Sequence, residues 1–359
     1  MIPPERGVVP EYQARLEQHN VLTVLWRVPL MSPDAGPVDF HHHGTPAISE
    51  DGRRVYVGAH NGAFYCVDSS CGKVLWRKVF EEQFDGEPLV HDGIVYVGSS
   101  RGQILALRET DGSLIWKYQA RASVESRPVV ARDQLLVMTD TNALICLDAQ
   151  TGQWRWSYKR EVPPGRFQIK GACSPLVDDA VYVGFSDGYM AKLNLEDGSV
   201  QVVRRIAEKG DRFTDMDSTP VLVDGMLLVT LFSRGVIALN RSLEERWVHS
   251  ADGVSPLTVA GGMAYYCYGS KVEALHLGSA KPQWRFESGE QGLSRPVIAR
   301  DWLLVSSVEQ SLLVLDRTTG KLLQIFNPGK GASGAPAYLR DRVYWVSNGQ
   351  VLYAMGLVR

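Results

Sequence analysis

The sequence has few of the features that mark membrane-spanning, nucleic-acid-binding or disulfide-stabilised proteins. No apolar stretch approaches the eighteen residues of a transmembrane helix, so none is predicted. Lysine and arginine (38) are balanced by aspartate and glutamate (40), giving a net charge of −2 and no basic surface for a nucleic acid. Cysteine is scarce, five residues in 359, and the odd number argues against a complete disulfide framework.

The N-terminal segment 1–20 is polar and rich in proline. It lacks the basic-then-apolar pattern and the cleavage site of an export signal. We therefore expect this segment to be flexible. The sequence leaves two possibilities open, a cytoplasmic protein or a form whose leader has been removed.

Catalytic motifs are missing as well. The sequence shows no nucleophile elbow between a strand and a helix, no phosphate-binding loop, and no Cys-x-x-Cys or His-x-x-x-His spacing. Asp215 and Asp217 could serve as a general acid and base, but no other residue identifies a pocket around them. The sequence therefore predicts a protein that is not an enzyme and that holds no cofactor or metal.

What the sequence does contain is a repeat of about forty residues along its whole length. Each copy opens on a proline, and successive prolines lie 36 to 47 residues apart. The eight positions are Pro46, Pro88, Pro128, Pro175, Pro220, Pro256, Pro296 and Pro336. A period of this length predicts a series of similar structural units, each packed against the next.

One copy, residues 127–158, shows what each unit contains. Its apolar runs PVV, LLVMT, ALICLD and WRWSY are short, rich in β-branched and aromatic residues, and separated by turn residues. Four strands joined by tight turns form one antiparallel meander, and units of this size are typical of β-propeller blades. The sequence therefore predicts an all-β, eight-bladed propeller.

Glycine and tryptophan recur within the copies. Glycines fill the third turn of five copies, and a tryptophan comes four residues after three of them and at the matching place in two other copies. These tryptophans are expected to pack between neighbouring blades with their N–H groups bonded to backbone. The glycines are Gly72, Gly112, Gly152, Gly198 and Gly320. The tryptophans are Trp76, Trp116, Trp156, Trp247 and Trp284.

The eighth copy is incomplete, because the sequence ends before the position where its outer strand would fall. The run 21–28, with its own Trp26, is a spare strand near the N-terminus. We predict that it completes the eighth blade and closes the ring, which removes the open sheet edges. Residues 21–359 then form a single propeller domain.

Two consecutive connections between blades are longer than the others. They span residues 159–175 and 204–220, and adjacent blades should place them side by side on one face. The first offers Phe167, Ile169 and Lys170, and the second offers Asp215 and Asp217. An apolar cluster with charges of both signs on a rigid ring favours protein recognition, although drift in loop length is an alternative.

A third long connection holds His41, His42 and His43 beside Asp39. Consecutive side chains on an extended segment point to opposite sides, so they do not converge on one metal ion. We interpret this connection as a polar loop or edge strand.

The copies resemble pyrroloquinoline-quinone-type propeller repeats, as in VYVGSSRGQILALRETDGSLIW at 95–116. Nearly the whole chain is similar to the BamB family of outer-membrane β-barrel assembly lipoproteins. The most specific segments are ESRPVVARDQLLV at 125–137, FQIKGACSP at 167–175 and DRFTDMDSTPVLVDGMLLV at 211–229.

This resemblance implies a periplasmic scaffold that binds the POTRA domains of BamA through the two long connections. Phe167 and Ile169 stand where the family has leucines, Lys170 where it has arginine, and Asp215 with Asp217 where it has its aspartate pair. Lysine lacks the planar, bidentate guanidinium of arginine, so that contact should be weaker or differently directed. The lipid anchor of the family is implied by the resemblance alone, because no lipobox cysteine is present.

Three alternatives remain. Nascent outer-membrane strands are a second candidate partner, held at exposed sheet edges by β-augmentation. A quinone-dependent oxidoreductase would share the repeat, although no two cysteines are adjacent and no insertion offers metal ligands. An unrelated propeller adaptor of the cell envelope would also fit the fold.

Overall fold

Eight four-stranded antiparallel sheets form a closed ring of blades in the computed structural model of the protein. The structure describes residues 20–31, 44–161, 173–211, 213–216 and 218–358. The prediction of an all-β, eight-bladed propeller is confirmed. The described residues contain no helix that is long and apolar enough to cross a membrane.

Each blade contributes one short strand to the wall of the central channel. These innermost strands begin one or two residues after the prolines of the repeat. They are β2 (Ala47–Ile48), β6 (Leu89–His91), β10 (Val129–Ala131), β14 (Leu176–Val177), β18 (Val221–Val223), β22 (Thr258–Ala260), β26 (Val297–Ala299) and β30 (Ala337–Leu339).

The two middle strands of each blade carry most of the buried side chains. The second strands are β3 (Arg54–Gly58), β7 (Ile94–Gly98), β11 (Gln134–Met138), β15 (Val181–Gly184), β19 (Met226–Leu231), β23 (Met263–Tyr268), β27 (Trp302–Ser306) and β31 (Arg342–Ser347). The third strands are β4 (Ala63–Asp68), β8 (Gln103–Arg108), β12 (Ala143–Asp148), β16 (Tyr189–Leu193), β20 (Gly235–Leu239), β24 (Lys271–His276), β28 (Leu312–Asp316) and β32 (Val351–Leu357).

The outermost strands are more exposed and form the rim of the ring. They are β5 (Val74–Val79), β9 (Leu114–Gln119), β13 (Trp154–Lys159), β17 (Val200–Arg205), β21 (Glu245–His249), β25 (Lys281–Glu287), β29 (Leu322–Phe326) and β1 (Leu22–Pro29). Blade 1 comprises β2 to β5, and the numbering of the blades follows the chain to blade 8, which comprises β30, β31, β32 and β1.

Strand β1 closes the ring, as the sequence predicts. It pairs antiparallel with β32, from Leu22 opposite Leu357 to Pro29 opposite Val351. The side chain of Gln324, on the outer strand of blade 7, accepts from the Leu22 amide at 2.7 Å and donates to the Leu22 carbonyl at 3.0 Å. The closing strand is therefore held by its own blade and by the preceding one.

The hydrophobic core is divided into eight clusters, and each cluster lies between two successive blades. One example joins Tyr96 and Trp116 of blade 2 to Leu135 and Leu147 of blade 3. Because a single blade buries only part of its apolar surface alone, burial between blades provides the main stabilisation of the ring. All five cysteines are free thiols, and four of them are buried.

The predicted packing of the tryptophans is confirmed at most of the interfaces. The indole of Trp116 in blade 2 lies against Gly152 of blade 3, and its N–H donates to the Ala149 carbonyl at 3.0 Å. The same contact with a glycine of the next blade is made by four other indoles, and each donates its N–H to a backbone carbonyl at 3.0–3.1 Å. They are Trp26, Trp76, Trp156 and Trp284. Blade 4 has Val202 at this position, so its interface with blade 5 lacks the contact.

Candidate functional site

The two long connections join neighbouring blades. The first joins blade 3 to blade 4, and the second joins blade 4 to blade 5. The second turns of the blades lie on the same face as these connections, because the amide of Ile206 donates to the carbonyl of Gly188 at 2.7 Å. The candidate site is therefore one face of the ring around blade 4.

The first connection is anchored where it leaves blade 3. The guanidinium of Arg160 forms an ion pair of 2.7 Å with Asp187 and lies 4.0 Å from the ring centroid of Tyr189. Asp187 is almost fully buried, and Arg160 is mostly buried. An ion pair that is shielded from water and stacked on an aromatic ring holds this point of the backbone firmly.

The far ends of the two connections contact each other. The Cys173 thiol lies 3.3 Å from the Ser218 carbonyl, and the Ser174 amide donates to the Thr219 hydroxyl at 3.2 Å. The Ser174 hydroxyl also donates to the Arg127 carbonyl at 2.8 Å. The expectation that the two connections lie side by side is thus confirmed for their described ends.

The second connection packs down onto blades 4 and 5. The Thr214 hydroxyl donates to the Ser186 carbonyl at 2.9 Å, and Phe213 meets Phe232 edge to face at 5.4 Å. Met216 is buried and lies so close to Gly184 that a Cβ there would be 2.9 Å from the Met216 Cβ. Segment 213–216 is therefore part of the packed ring.

The described surroundings of the second connection carry both charge signs. Arg234 bridges Glu208 at 3.2 Å and Glu245 at 3.0 Å, and it donates to the Ile206 carbonyl at 2.6 Å. Asp211 accepts from the Glu208 amide at 2.9 Å and from the Ser233 hydroxyl at 3.0 Å. These contacts fix the segment that leads from blade 4 to the predicted aspartates.

Of the five predicted site residues, the structure describes Asp215. Its side chain is only 1% exposed, whereas the sequence predicts an exposed carboxylate that meets a partner. Direct contact with a partner would therefore require Asp215 to be uncovered. Phe167, Ile169, Lys170 and Asp217 lie outside the described residues, as do Asp39 and the histidines His41 to His43.

One group within the described chain has side chains near enough to share a cation. Glu50, His91 and Asp92 place ligand atoms within 4.8 Å of one another, at the surface. The His91 ring lies 3.5 Å from each carboxylate. Because all three side chains are partly or largely exposed, an ordinary surface ion pair accounts for the group.

The sequence analysis missed the residues that line the central channel. A cavity of about 610 Å³ runs along the inner strands of blades 1, 6, 7 and 8. Glu87, Arg127 and Arg295 reach into it, and each directly precedes a proline of the repeat. The available signal in the sequence was the position before each proline, because it lies just before the strand that faces the axis.

The fold and the two adjoining connections define a closed, eight-bladed propeller built from pyrroloquinoline-quinone-type repeats. The sequence profile of the family described as "Outer membrane protein assembly factor BamB" matches residues 22–100, 88–277 and 268–356. The chain belongs to this family.

Curated relatives carry the same description. The chain is 25% identical to outer membrane protein assembly factor BamB of Yersinia pestis over 86% of its own length and 70% of the relative's. It is 26% identical to BamB of Legionella pneumophila (strain Paris) over 51% of its length, and the match spans about half of that relative.

Solved structures show the same fold. The structure of BamB from Moraxella catarrhalis superposes with a TM-score of 0.79 at 19% identity, over 94% of this chain and all of that one. Quinohemoprotein alcohol dehydrogenase from Comamonas testosteroni reaches 0.75 at 13% identity, over 94% of this chain and 77% of that one. At such sequence identities the similarity shows a shared architecture alone. The similarity to the dehydrogenase structure therefore does not favour an oxidoreductase activity for this chain.

Proposed function

We propose that this protein is a non-catalytic scaffold of outer-membrane β-barrel assembly that binds the POTRA domains of BamA. Membership of the BamB family supports a role in outer-membrane protein assembly. The BamA contact is our own extension of that role. In this proposal the ring works at the periplasmic face of the outer membrane, held there by a lipid anchor.

One observation carries the assignment of the surface: the ends of two long connections meet at neighbouring blades of a rigid ring. Arg160 with Asp187 fixes the start of the first connection, and Thr214 with Ser186 fixes the second. Such anchors restrain the described ends of the connections, so these ends lose little conformational entropy when a partner docks.

The residues of segment 159–175 supply the chemistry of the contact in this proposal. Phe167 and Ile169 provide apolar area at the centre of the interface, and Lys170 provides a charge that orients an acidic partner. Asp217 provides the opposite charge on the neighbouring connection. Because Asp215 is buried, we assign it to the support of this connection rather than to the contact itself.

The test is the affinity of the purified protein for the POTRA region of BamA, measured by calorimetry. We expect Ile169→Ala combined with Lys170→Glu to weaken binding at least tenfold with little change in melting temperature. The matched control is Leu75→Ala combined with Lys73→Glu, which changes an apolar and a basic residue on blade 1, across the ring from blade 5. Equal affinities for the two double variants would refute the surface assignment.

A second candidate function rests on exposed apolar residues of the outer strands. Leu25, Leu75 and Leu114 are 43–50% exposed on the rims of blades 8, 1 and 2, where the outer strands leave a backbone edge open. At the corresponding positions blades 5 and 6 carry Glu245–Arg246 and Pro282–Gln283. Such an edge suits extended, apolar strands that pair by β-augmentation.

The same pair of variants separates the two candidates. Capture of an unfolded outer-membrane strand peptide should fall in the Leu75→Ala, Lys73→Glu variant and persist in the Ile169→Ala, Lys170→Glu variant. The opposite pattern would exclude the rim of blades 8, 1 and 2 as the strand-binding edge.

A further inference from the structure

The central channel combines an apolar wall with a charged entrance. The wall includes Ile48, Val259, Ile298 and Leu339, from the inner strands of blades 1, 6, 7 and 8. The cavity of about 610 Å³ lies in the range of pockets that hold small organic ligands.

Three charged side chains meet at one end of this cavity. The Glu87 carboxylate lies 3.0 Å from Nε of Arg127 and 3.9 Å from a terminal nitrogen of Arg295. They belong to blades 2, 3 and 7, and blades 3 and 7 are diametrically opposed in a ring of eight. The two arginines therefore approach one carboxylate from opposite sides of the channel.

The entrance has more hydrogen-bond donors than its own acceptor can use. Each guanidinium offers five N–H groups in a planar fork, whereas one carboxylate accepts about four hydrogen bonds. Within the described chain, Glu87 is the ionic partner of both arginines, so the triad keeps one net positive charge. The Arg295 side chain is 41% exposed and faces the channel rather than a packed interface.

The surroundings of Glu87 also favour a second anion. Burial raises the pKa of its carboxyl group, although Arg127 and Arg295 both act in the opposite direction. Because burial favours the protonated form of this carboxyl group, Glu87 neutralises the arginines less completely than a fully ionised carboxylate would. The second acidic residue that lines the cavity, Glu50, lies at the far end of an inner strand, 3.5 Å from His91.

We propose that the channel is a binding site for a small organic anion. Arg127 and Arg295 hold its carboxylate group, and its apolar body lies along the inner strands beside Ile298 and Leu339. Arginine suits this role because its fork binds a carboxylate through two parallel hydrogen bonds. The site touches the long connections at one point, where the Ser174 hydroxyl donates to the Arg127 carbonyl at 2.8 Å. None of its binding side chains belongs to those connections, so the site can exist whether or not they bind BamA.

The experiment uses naphthoate as the probe and the full chain as the protein. Calorimetry at constant ionic strength should show one naphthoate bound per chain. Naphthamide, which has the same body without the charge, should bind roughly tenfold more weakly or not measurably. Inorganic phosphate, an anion without an apolar body, should also bind more weakly than naphthoate.

Two substitutions test the residues in opposite directions. Arg295→Gln should weaken naphthoate binding roughly tenfold or more, because the charge-assisted hydrogen bonds are lost. Glu87→Gln should strengthen it, because the competing carboxylate is removed. The control is Arg101→Gln, an exposed arginine in the second turn of blade 2, which should leave the affinity unchanged.

The proposal is overturned if naphthoate and naphthamide bind equally, or if Arg101→Gln weakens binding as much as Arg295→Gln does. It is also overturned if Glu87→Gln lowers the affinity in a protein whose circular dichroism and melting temperature match those of the parent. If Arg295→Gln does not fold, the proposal is still tested by the increase in naphthoate affinity that we expect for Glu87→Gln.

Discussion

The contact between a tryptophan and a glycine of the next blade can be tested by adding one methyl group. Gly152 has a φ of +71°, and a Cβ built there would lie 2.6 Å from two atoms of the Trp116 ring. Real Cβ atoms do not approach other atoms so closely, so the ring or the turn has to shift. Gly152→Ala should therefore destabilise the protein through both backbone strain and steric conflict.

Gly93 provides the matched control for the backbone contribution. Its φ of +74° is nearly the same, but a Cβ there would meet no atom within 4 Å. Gly93→Ala should cost about 1–2 kcal/mol, the usual penalty for a side chain in the left-handed region. Gly152→Ala should cost about 1–3 kcal/mol more, because overpacking adds to the same strain.

The expected difference is measurable by thermal and urea unfolding followed by tryptophan fluorescence. The unfolding entropy of globular proteins is about 2 cal/mol/K per residue, so a further 2 kcal/mol lowers the melting temperature of a chain of this size by about 3 °C. Equal losses of stability in Gly152→Ala and Gly93→Ala would refute the reasoning. Combining Gly152→Ala with Trp116→Ala should cost less than the sum of the two single variants, because the conflict disappears.

Two further predictions concern a buried charge and the closing strand. Burial would raise the pKa of Glu273, but hydrogen bonds from Tyr266, Arg285 and Tyr268 outweigh it and hold the pKa below 4.5. Its contribution to stability is therefore present above pH 4.5 and is lost as the pH falls through the folded-state value. Glu273→Gln should lower the urea midpoint at neutral pH and flatten its decline below pH 4.5; an unchanged decline would contradict this. Deleting residues 1–30 should expose β32 and cause self-association in gel filtration, which a peptide of residues 20–31 should reverse. A monomeric deletion variant would count against ring closure by β1.

Much of the fold can be predicted from the sequence because its signals recur. A proline precedes each inner strand, and glycine and tryptophan residues occur at most of the interfaces between blades. The structure inferred for one copy therefore applies to the next. The spare run at 21–28 could be assigned by counting alone. These features depend on local turn chemistry and on strand periodicity, which a sequence displays directly.

The features that could not be predicted depend on contacts between different blades. Glu87 and Arg295 are more than two hundred residues apart, and they meet because blades 2 and 7 face the same channel. Glu273 lies on an apolar strand, with Tyr266 and Arg285 opposite it on the neighbouring strands of blade 6. Its further partner His249 belongs to blade 5 and is identified only when the two blades are packed together. Asp215 is likewise buried within a segment that packs on blades 4 and 5, which its neighbours in sequence do not reveal.

The pairing of β1 with β32 has a consequence for the order in which the protein matures. Leu22 is made more than three hundred residues before its partner Leu357, so β1 has to stay unpaired while the other blades are synthesised. Blades 1 to 7 contain contacts that are local in sequence and can form progressively, whereas blade 8 cannot be completed until its last strand is available. We therefore expect completion of the ring to depend on a single long-range encounter, and the immature chain to expose an open strand edge on β32 until β1 pairs with it.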